Sequence, residues 1–272
     1  GGVTNVPDQS GLGVRVNKIR RSFDAFLSSN LRDNNAEYTK LKKFVDNLNK
    51  LENMLLPSDS DLGKFIGRFF NSLQDVSSRP DDISSRSIVI ENGKALANSF
   101  NSYDMQLKSF QSTASKETET NLSELNETLK QLAQVNKLIM SGGSKNSSPD
   151  ILDARDQLLS KLSNLINVSV DYGKSGEAKI TTGNSGNGKL LLEGTNFSIL
   201  THTIQENKIV FNVNRDAKTS ALNSFSSGIL SGIKNFYDFS SDVQSEINDL
   251  ARRVARDFNE IQKIGIDLNG KI

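Results

Sequence analysis

The sequence predicts an α+β fold, mainly α: an elongated long-helix bundle with a small antiparallel β domain inserted before the last helices. Three observations carry this. Apolar residues return at helical spacing from residue 23 to 55 and again from 81 to 140. The second run, if unbroken, is about 90 Å long at ~1.5 Å per residue, a length that belongs to rods and bundles. Between Val168 and Val213 the apolar period falls to two, the spacing of half-buried strands, and after Ala221 the helical period returns. The helices on either side of the β stretch each carry an apolar stripe that needs a partner, so the β unit reads as an insertion within one bundle whose N-terminal and C-terminal helices are expected to lie side by side. The division that follows is a helical rod of residues 1–167 plus 215–272, with a small β-rich projecting domain at 168–214.

In chain order, "GLGVRVNKIRR" reads as a short strand or extended arm, and Ser22 then caps a helix running from Phe23 to Leu55. Its stripe is Leu41, Phe44, Leu48, Leu51 and Leu55, with Lys40, Lys43, Asp46, Asn47 and Lys50 on the other face, and Pro57 ends it. A second helix over about 61–77 puts Phe65, Ile66, Phe69, Leu73 and Val76 on one face. The long helix after Pro80 has a polar gap at Ser115 to Asn121. "SGGSKNSSP" is a loop, and Ser148 with Pro149 supplies a cap and a first-turn proline for "DILDARDQLLSKLSNLI". The β stretch contains four or five short strands, with turns at "GKSGE", "GNSGNGK", "EGTN" and "QENK". In the last helices, Ser241 and Gln244 form a capping box before Val243, Ile247, Leu250, Val254, Phe258 and Ile261.

Composition removes most chemistry. The chain has no Cys and one His, so thiolate nucleophiles, disulfides and nearly all metal or acid/base constellations are absent. With 33 basic and 32 acidic residues spread along the chain, nothing forms the single-sign stripe that a phosphate backbone needs, and nucleic acid is not an expected partner. No run reaches the ~18 apolar residues of a spanning helix, and "GGVTNVPDQSGLGV" has neither a basic n-region nor an apolar h-region. No membrane partner, cofactor or metal is expected.

The closest approach to a site is "GNSGNGKL" at 183–190, one residue from the phosphate-loop pattern G-x-x-x-x-G-K-[ST]. Leu190 stands where a hydroxyl would hold magnesium. The preceding "AKITT" is a half-polar strand, and "KLLLEGTNFSIL" continues as strand where a helix N-terminus should face the phosphates. Glycines between two alternating runs are what a hairpin connection requires. Asp150, Asp153 and Asp156 occupy the first two turns of a helix, where the dipole favours negative charge. His202 in "ILTHTI" reads as a surface strand residue, and "DSDLG" and "DLNG" lack the remaining ligands of a calcium loop. Arg252 and Arg256 in "RRVAR" mark a solvated or assembly face of the last helix.

Several stretches together resemble a known family, the flagellar hook-associated protein 1 family. "GLGVRVNKIRRSFDAFLSSNLR" is similar to its G-x-GV-x-V-x-x-I-x-R element followed by D-x-FL and LR, with Asp24 in the matching place. "FFNSLQDVSSRPDDISSR" resembles its FF-x-SLQD-x-S-x-x-P segment through Phe69, Phe70, Pro80 and Arg86. "LAQVNKLI" and "DILDARDQLLSKLSNLINVSV" resemble L-A-x-x-N-x-x-I and L-D-x-R-D-x-L-L-x-x-L-S, with Asp153, Arg155 and Asp156 in place. "FNEIQKIGIDLNG" matches its closing elements through Asn259 and Asp267. Each motif is weak alone; five in the family's order are specific.

The resemblance implies a structural protein that joins hook to filament in the bacterial flagellum by subunit packing, without catalysis. It implies export through the flagellar type III apparatus to an extracellular position. The implied partners are the hook protein, the second hook-filament junction protein and neighbouring copies of itself, with an export chaperone at a C-terminal end outside this chain. The stretch is then expected to be a fragment lacking both terminal coil regions, and a monomer in solution. The ten motif residues just named are its expected structural positions. Alternatives are the second junction protein or a flagellin-like filament subunit, a nucleotide-binding enzyme using the 183–190 loop, and a cytosolic coiled-coil scaffold.

Overall fold

The computed structural model describes residues 25–55, 61–142, 148–222 and 224–264. The elements are α1 (Ala25–Leu55), α2 (Leu62–Ser78), α3 (Ile83–Gly142), α4 (Pro149–Leu165), seven strands between Val168 and Leu222, and α5 (Ile229–Ile264). The predicted arm over 11–21 and the Ser22 cap lie outside the described residues.

α3 is the spine. It runs unbroken for 60 residues, about 90 Å, and α2, α4 and α5 all pack along it. The polar gap does not interrupt it, because the side chains there satisfy themselves on the helix. The hydroxyls of Thr113, Thr118 and Thr120 and the amide of Asn121 each donate to the carbonyl four residues back. Glu117 meets Lys43 of α1 at 2.8 Å.

Helix starts follow side-chain chemistry. Asp61 accepts from the Gly63 amide at 2.9 Å to begin α2. Asp82 begins α3 by accepting from the Ser85 hydroxyl and the Ser84 and Ser85 amides, and those donors hold its carboxyl below the usual range. Ser148 and Pro149 open α4 as the spacing predicts, although the Ser148 hydroxyl makes no cap bond. The capping box at Ser241 and Gln244 is not a helix start. α5 begins twelve residues earlier, at Ile229, because Leu230, Ile233, Phe236 and Tyr237 bury a helical stripe of their own.

α1 and α5 lie side by side, as expected. Phe44 and Phe239 meet edge to face with centroids 6.5 Å apart, and the Gly228 amide donates to the Ala36 carbonyl at 2.9 Å. Gly232 permits the crossing, since a Cβ there would stand 2.5 Å from the Lys40 carbonyl oxygen. The α1 stripe differs from the expected one: Phe44, Leu48 and Leu51 pack on the core, but Leu41 is exposed and Asn47 is buried.

The β unit has seven strands in two antiparallel sheets, more than the four or five expected. One sheet runs β1 (Val168–Tyr172), β2 (Ala178–Thr182), β3 (Leu190–Glu193), β4 (Asn196–Phe197). The other runs β5 (Ile199–Gln205), β6 (Lys208–Arg215), β7 (Lys218–Leu222). Two-residue turns close the second sheet, with Glu206, Asn207, Asp216 and Ala217 all at positive φ between 49° and 60°. One continuous core joins the sheets to the rod: Leu125, Leu129 and Leu132 of α3 with Leu159 and Leu162 of α4, Ile180, Leu191, Leu200 and Phe211 of the strands, and Ile233 of α5.

Candidate functional site

The 183–190 loop has the geometry of a strand connection. β2 and β3 are antiparallel neighbours, Gly183 and Gly186 take φ of 81° and 74°, and the loop is closed by the Thr182 amide donating to the Lys189 carbonyl at 2.9 Å. The Lys189 amide donates in return to the Thr182 hydroxyl at 2.9 Å. A strand follows, so no helix N-terminus faces the glycines. Among the described residues no group of three or more His, Asp and Glu is placed to hold a metal ion.

His202 is not the surface residue expected. It faces α3 from β5, half-buried, with its Nε2 3.2 Å from the Ser115 hydroxyl. Burial lowers its pKa below the ordinary histidine value, partly offset by the Glu119 carboxylate.

The polar groups with the most specific geometry are asparagines that hold backbone. On α3, Asn126 accepts from the Leu200 amide and donates to the Leu200 carbonyl, both at 2.8 Å, so its amide completes the outer edge of β5 as a neighbouring strand would. Ten residues on, the fully buried Asn136 accepts from the Ala178 amide and donates to the Ala178 and Gly194 carbonyls, each at 2.8 Å. It fills the gap where β2 and the β3–β4 turn diverge. Asn167, buried between α4 and β1, accepts from the Ser226 and Ser227 amides and donates to the Asn184 side chain. Sheet, rod and return loop are thereby locked in one register. Of the three, only Asn136 carries a sequence signal, as the Asn of "LAQVNKLI".

The motif residues fall into separate groups. Phe69 is buried, 5.6 Å from the Phe70 ring and 5.4 Å from that of Phe258, and it covers Gly93, where a Cβ would stand 3.3 Å from the ring. Phe70 itself is half exposed. Pro80 turns the chain between α2 and α3, and Arg86 fastens the turn by donating its Nε to the Pro80 carbonyl at 2.8 Å. Arg155 is buried, pairs with Asp156 at 2.8 Å, lies 4.4 Å over the Tyr172 ring and donates to the Gly176 carbonyl, tying α4 to the β1–β2 hairpin. Asp156 also lines a groove of about 370 Å³ between α1 and α4 with Ser28, Leu31, Arg32, Asn35 and Ser160. Asp153 and Asn259 are exposed on α4 and α5. Asp24 and Asp267 lie outside the described residues. On α5, Arg252 pairs with Asp249 at 2.9 Å and Arg256 with Asp257 at 3.2 Å, a face of mixed sign. Among the described motif residues, Phe69, Arg86 and Arg155 fix contacts between elements.

Comparison with known proteins agrees with this architecture. Residues 48–272 match the model of the flagellar hook-associated protein FlgK helical domain. Flagellar hook-associated protein 1 of Bacillus subtilis (strain 168) is 29% identical over 292 residues, covering 97% of this chain and 57% of its own length. The protein of the same name from Escherichia coli (strain K12) is 28% identical over 270 residues, covering 96% and 49%. The chain thus spans about half the length of the curated relatives it matches. The solved flagellar hook junction protein FlgK from Burkholderia pseudomallei shares the fold, with a TM-score of 0.68 at 22% identity over 76% of this chain and 38% of that one. With the family model matched over more than four-fifths of its length, the chain belongs to the flagellar hook-associated protein FlgK family.

Proposed function

We propose that this chain is a structural component of the bacterial flagellum that joins hook to filament through subunit packing, with no catalysis. The observation that carries the reading is the family match over 48–272 on a 90 Å-class rod whose polar groups are spent on holding elements together. The names of its relatives describe a place in the flagellum and not a reaction. Its partners are the hook protein, the second hook-filament junction protein and neighbouring copies, with an export chaperone engaging a C-terminal end outside this chain. It works outside the cell after export through the flagellar type III apparatus. The proposed division is a rod of residues 1–167 plus 215–272 and a β-rich unit of 168–214 that gives it lateral bulk, with the second sheet running on through β7 to Leu222. The motif positions Phe69, Phe70, Pro80, Arg86, Asp153, Arg155, Asp156 and Asn259, with Asp24 and Asp267, serve rod geometry. The isolated chain is a monomer in dilute solution.

The test is complementation. A cell lacking its own hook-associated protein 1 but retaining hook protein secretes flagellin without building filaments. Expression of the gene encoding this chain should restore filaments and motility; continued loss of flagellin to the medium, with the protein exported, would end the assignment.

A further inference from the structure

Arg32 of α1 is a cation whose hydrogen bonding is incomplete within its own chain. It is half-buried in the groove of about 370 Å³ between α1 and α4, and its Nε is buried with no hydrogen-bond acceptor. A buried donor left this way is costly, and native chains leave few. Two carboxylates of the chain stand near, and neither takes that bond. Asp156 lines the same groove, but its Oδ1 accepts from the Arg155 Nε at 2.9 Å and lies 2.8 Å from the Arg155 Nη2. Asp33 lies about 100° round the helix from Arg32. Burial raises its pKa, and Arg32 offsets this only in part. The groove is fixed at its base: one turn on from Arg32 the Asn35 amide donates to the Asn164 side chain, and the Thr39 hydroxyl donates to the Asn164 carbonyl at 3.1 Å. The hydroxyls of Ser28 and Ser160 line it beside Arg32. On its rim Leu31 is 61% exposed, with Leu27 one turn before it at 55%.

We propose that this groove is the docking site for an acidic side chain of a neighbouring subunit, an Asp or Glu whose carboxylate seats on Arg32 while the apolar residues beside it cover Leu27 and Leu31. The planar guanidinium matches a carboxylate in a two-bond fork, and in a groove partly closed to water such a pair is stronger than on an open surface. Asp33 and Asp156 favour a singly charged guest, because both repel a phosphate dianion more than a carboxylate. A free carboxylate ion would answer Arg32, but it would fill a small part of the groove and leave both leucines in water. A side chain on a polypeptide brings apolar neighbours with it. The contact is heterologous, a groove on one subunit and an acid on the next, so it is compatible with subunits that all point the same way. The inference rests on the proposed function for the identity of the partner as a flagellar subunit; the recognition of a carboxylate is a property of the chain by itself.

The test has one arm on purified chain and one in the cell. N-acetyl-glutamate amide is added to the chain while the Arg32 Nε–H resonance is followed by NMR, with N-acetyl-glutamine amide as the uncharged control. The resonance should shift saturably with the first and stay with the second. Arg32→Met keeps the stem and removes the orphan donor, so its melting temperature should equal or exceed that of the parent, and the shifts that capped glutamate causes at the Ser28 and Ser160 amides should vanish. In the complemented cell Arg32→Met should weaken docking at least about tenfold, read as flagellin lost to the medium while the variant is still exported. Arg32→Glu should fail likewise, and suppressors selected for motility should place Lys or Arg at an acidic position of a neighbouring subunit. No shift with capped glutamate, or a melting temperature several degrees below the parent for Arg32→Met, overturns the proposal. Suppressors confined to Asp33 or Asp156 put the partner inside the chain and overturn it too. A shift in the tube with normal motility of Arg32→Met means that the groove takes free carboxylates only, and docking is overturned. If the parent chain itself fails to complement, the junction reading falls, and the resonance and melting experiments still decide the chemistry of the groove.

Discussion

Where α3 passes the β unit, between Leu107 and Ile139, it is held by a broad apolar core and by asparagine amides that bond named backbone groups. Where it passes α2 and the end of α5, its buried residues are few, Ser85, Leu96, Ser99 and Tyr103, and the Phe69 ring packs over Gly93 and against the Phe258 ring. The same stretch leaves Ile83, Ile88, Ile90 and Met105 exposed. The first region is specified: amide clamps make a wrong register costly, because a slipped strand leaves buried backbone groups unpaired. The second is held mainly by ring packing, with one amide bond across it, from Asn92 to the Arg68 carbonyl at 3.4 Å. Many of the exposed apolar side chains of the helices accordingly lie at the sparse end of α3 and along the outer face of α1.

The difference is most sharply broken at Asn136. Its three bonds involve two backbone carbonyls and one amide in a dry site, and each group left unpaired costs about 1–3 kcal/mol. Asn136→Ala is expected to lower the unfolding free energy by roughly 4 kcal/mol. Asn136→Asp should be no better, since a carboxylate can accept from the Ala178 amide but offers nothing to the two carbonyls. Urea denaturation followed by circular dichroism measures both. A loss below about 1 kcal/mol would mean that the clamp decorates a register fixed by the core alone.

Phe69→Ala removes a ring from the sparse end and is expected to cost about 3 kcal/mol. The location of the damage matters more than its size. Amide exchange should quicken in α2 and in α3 from Ile83 to Tyr103, while the strands keep the protection of the parent chain. Uniform quickening, reaching the Ala178 and Leu200 amides, would show that the two regions unfold as one unit.

The only histidine links the specified region to pH. Burial against α3 lowers the pKa of His202, and Glu119 opposes this; the charged groups facing it add nothing that reverses the direction. With the folded value below the unfolded one, the folded state binds fewer protons. The stability that depends on neutral His202 is therefore full above the unfolded pKa near 6.5 and falls as pH drops through it towards the folded value. The melting temperature should decline modestly between pH 7 and pH 5, and His202→Gln should flatten that part of the profile. An unchanged slope in the variant would assign the decline to carboxylates instead.

Most helices were legible because periodicity over many turns is a strong signal, and the long run after Pro80 proved continuous because its polar gap bonds its own backbone. What escaped did so for local reasons. The continuity of α5 was masked by Ser241 and Gln244, which have the pattern of a capping box but lie inside the helix, while Gly232 near its start serves the close approach of α1. β7 was missed because its turn, Asp216–Ala217, contains no glycine and "KTSAL" does not alternate. The outer face of α1 was folded into one stripe with the inner face, so Leu41 was placed in the core. Among the clamps, Asn126 and Asn167 carry no distinguishing pattern: an asparagine on a helix becomes specific only when a strand edge is brought to it.

The smallest effect is expected at the loop that most resembled a site. Lys189 contributes its backbone to the β2–β3 connection, through the bonds it exchanges with Thr182, and its side chain is exposed. Lys189→Ala should leave stability within about 0.5 kcal/mol of the parent and leave motility unchanged in the complemented cell. Its neighbour supplies the contrast that makes a null result informative. A Cβ at Gly188 would stand 1.8 Å from the Thr182 carbonyl oxygen, so Gly188→Ala must move backbone and should destabilise the connection measurably. If Lys189→Ala were the damaging change and Gly188→Ala the silent one, the ammonium would be binding something, and the glycines would be serving a ligand. The opposite order, together with no magnesium- and nucleotide-dependent rise in melting temperature, leaves the loop as the turn its hydrogen bonds describe.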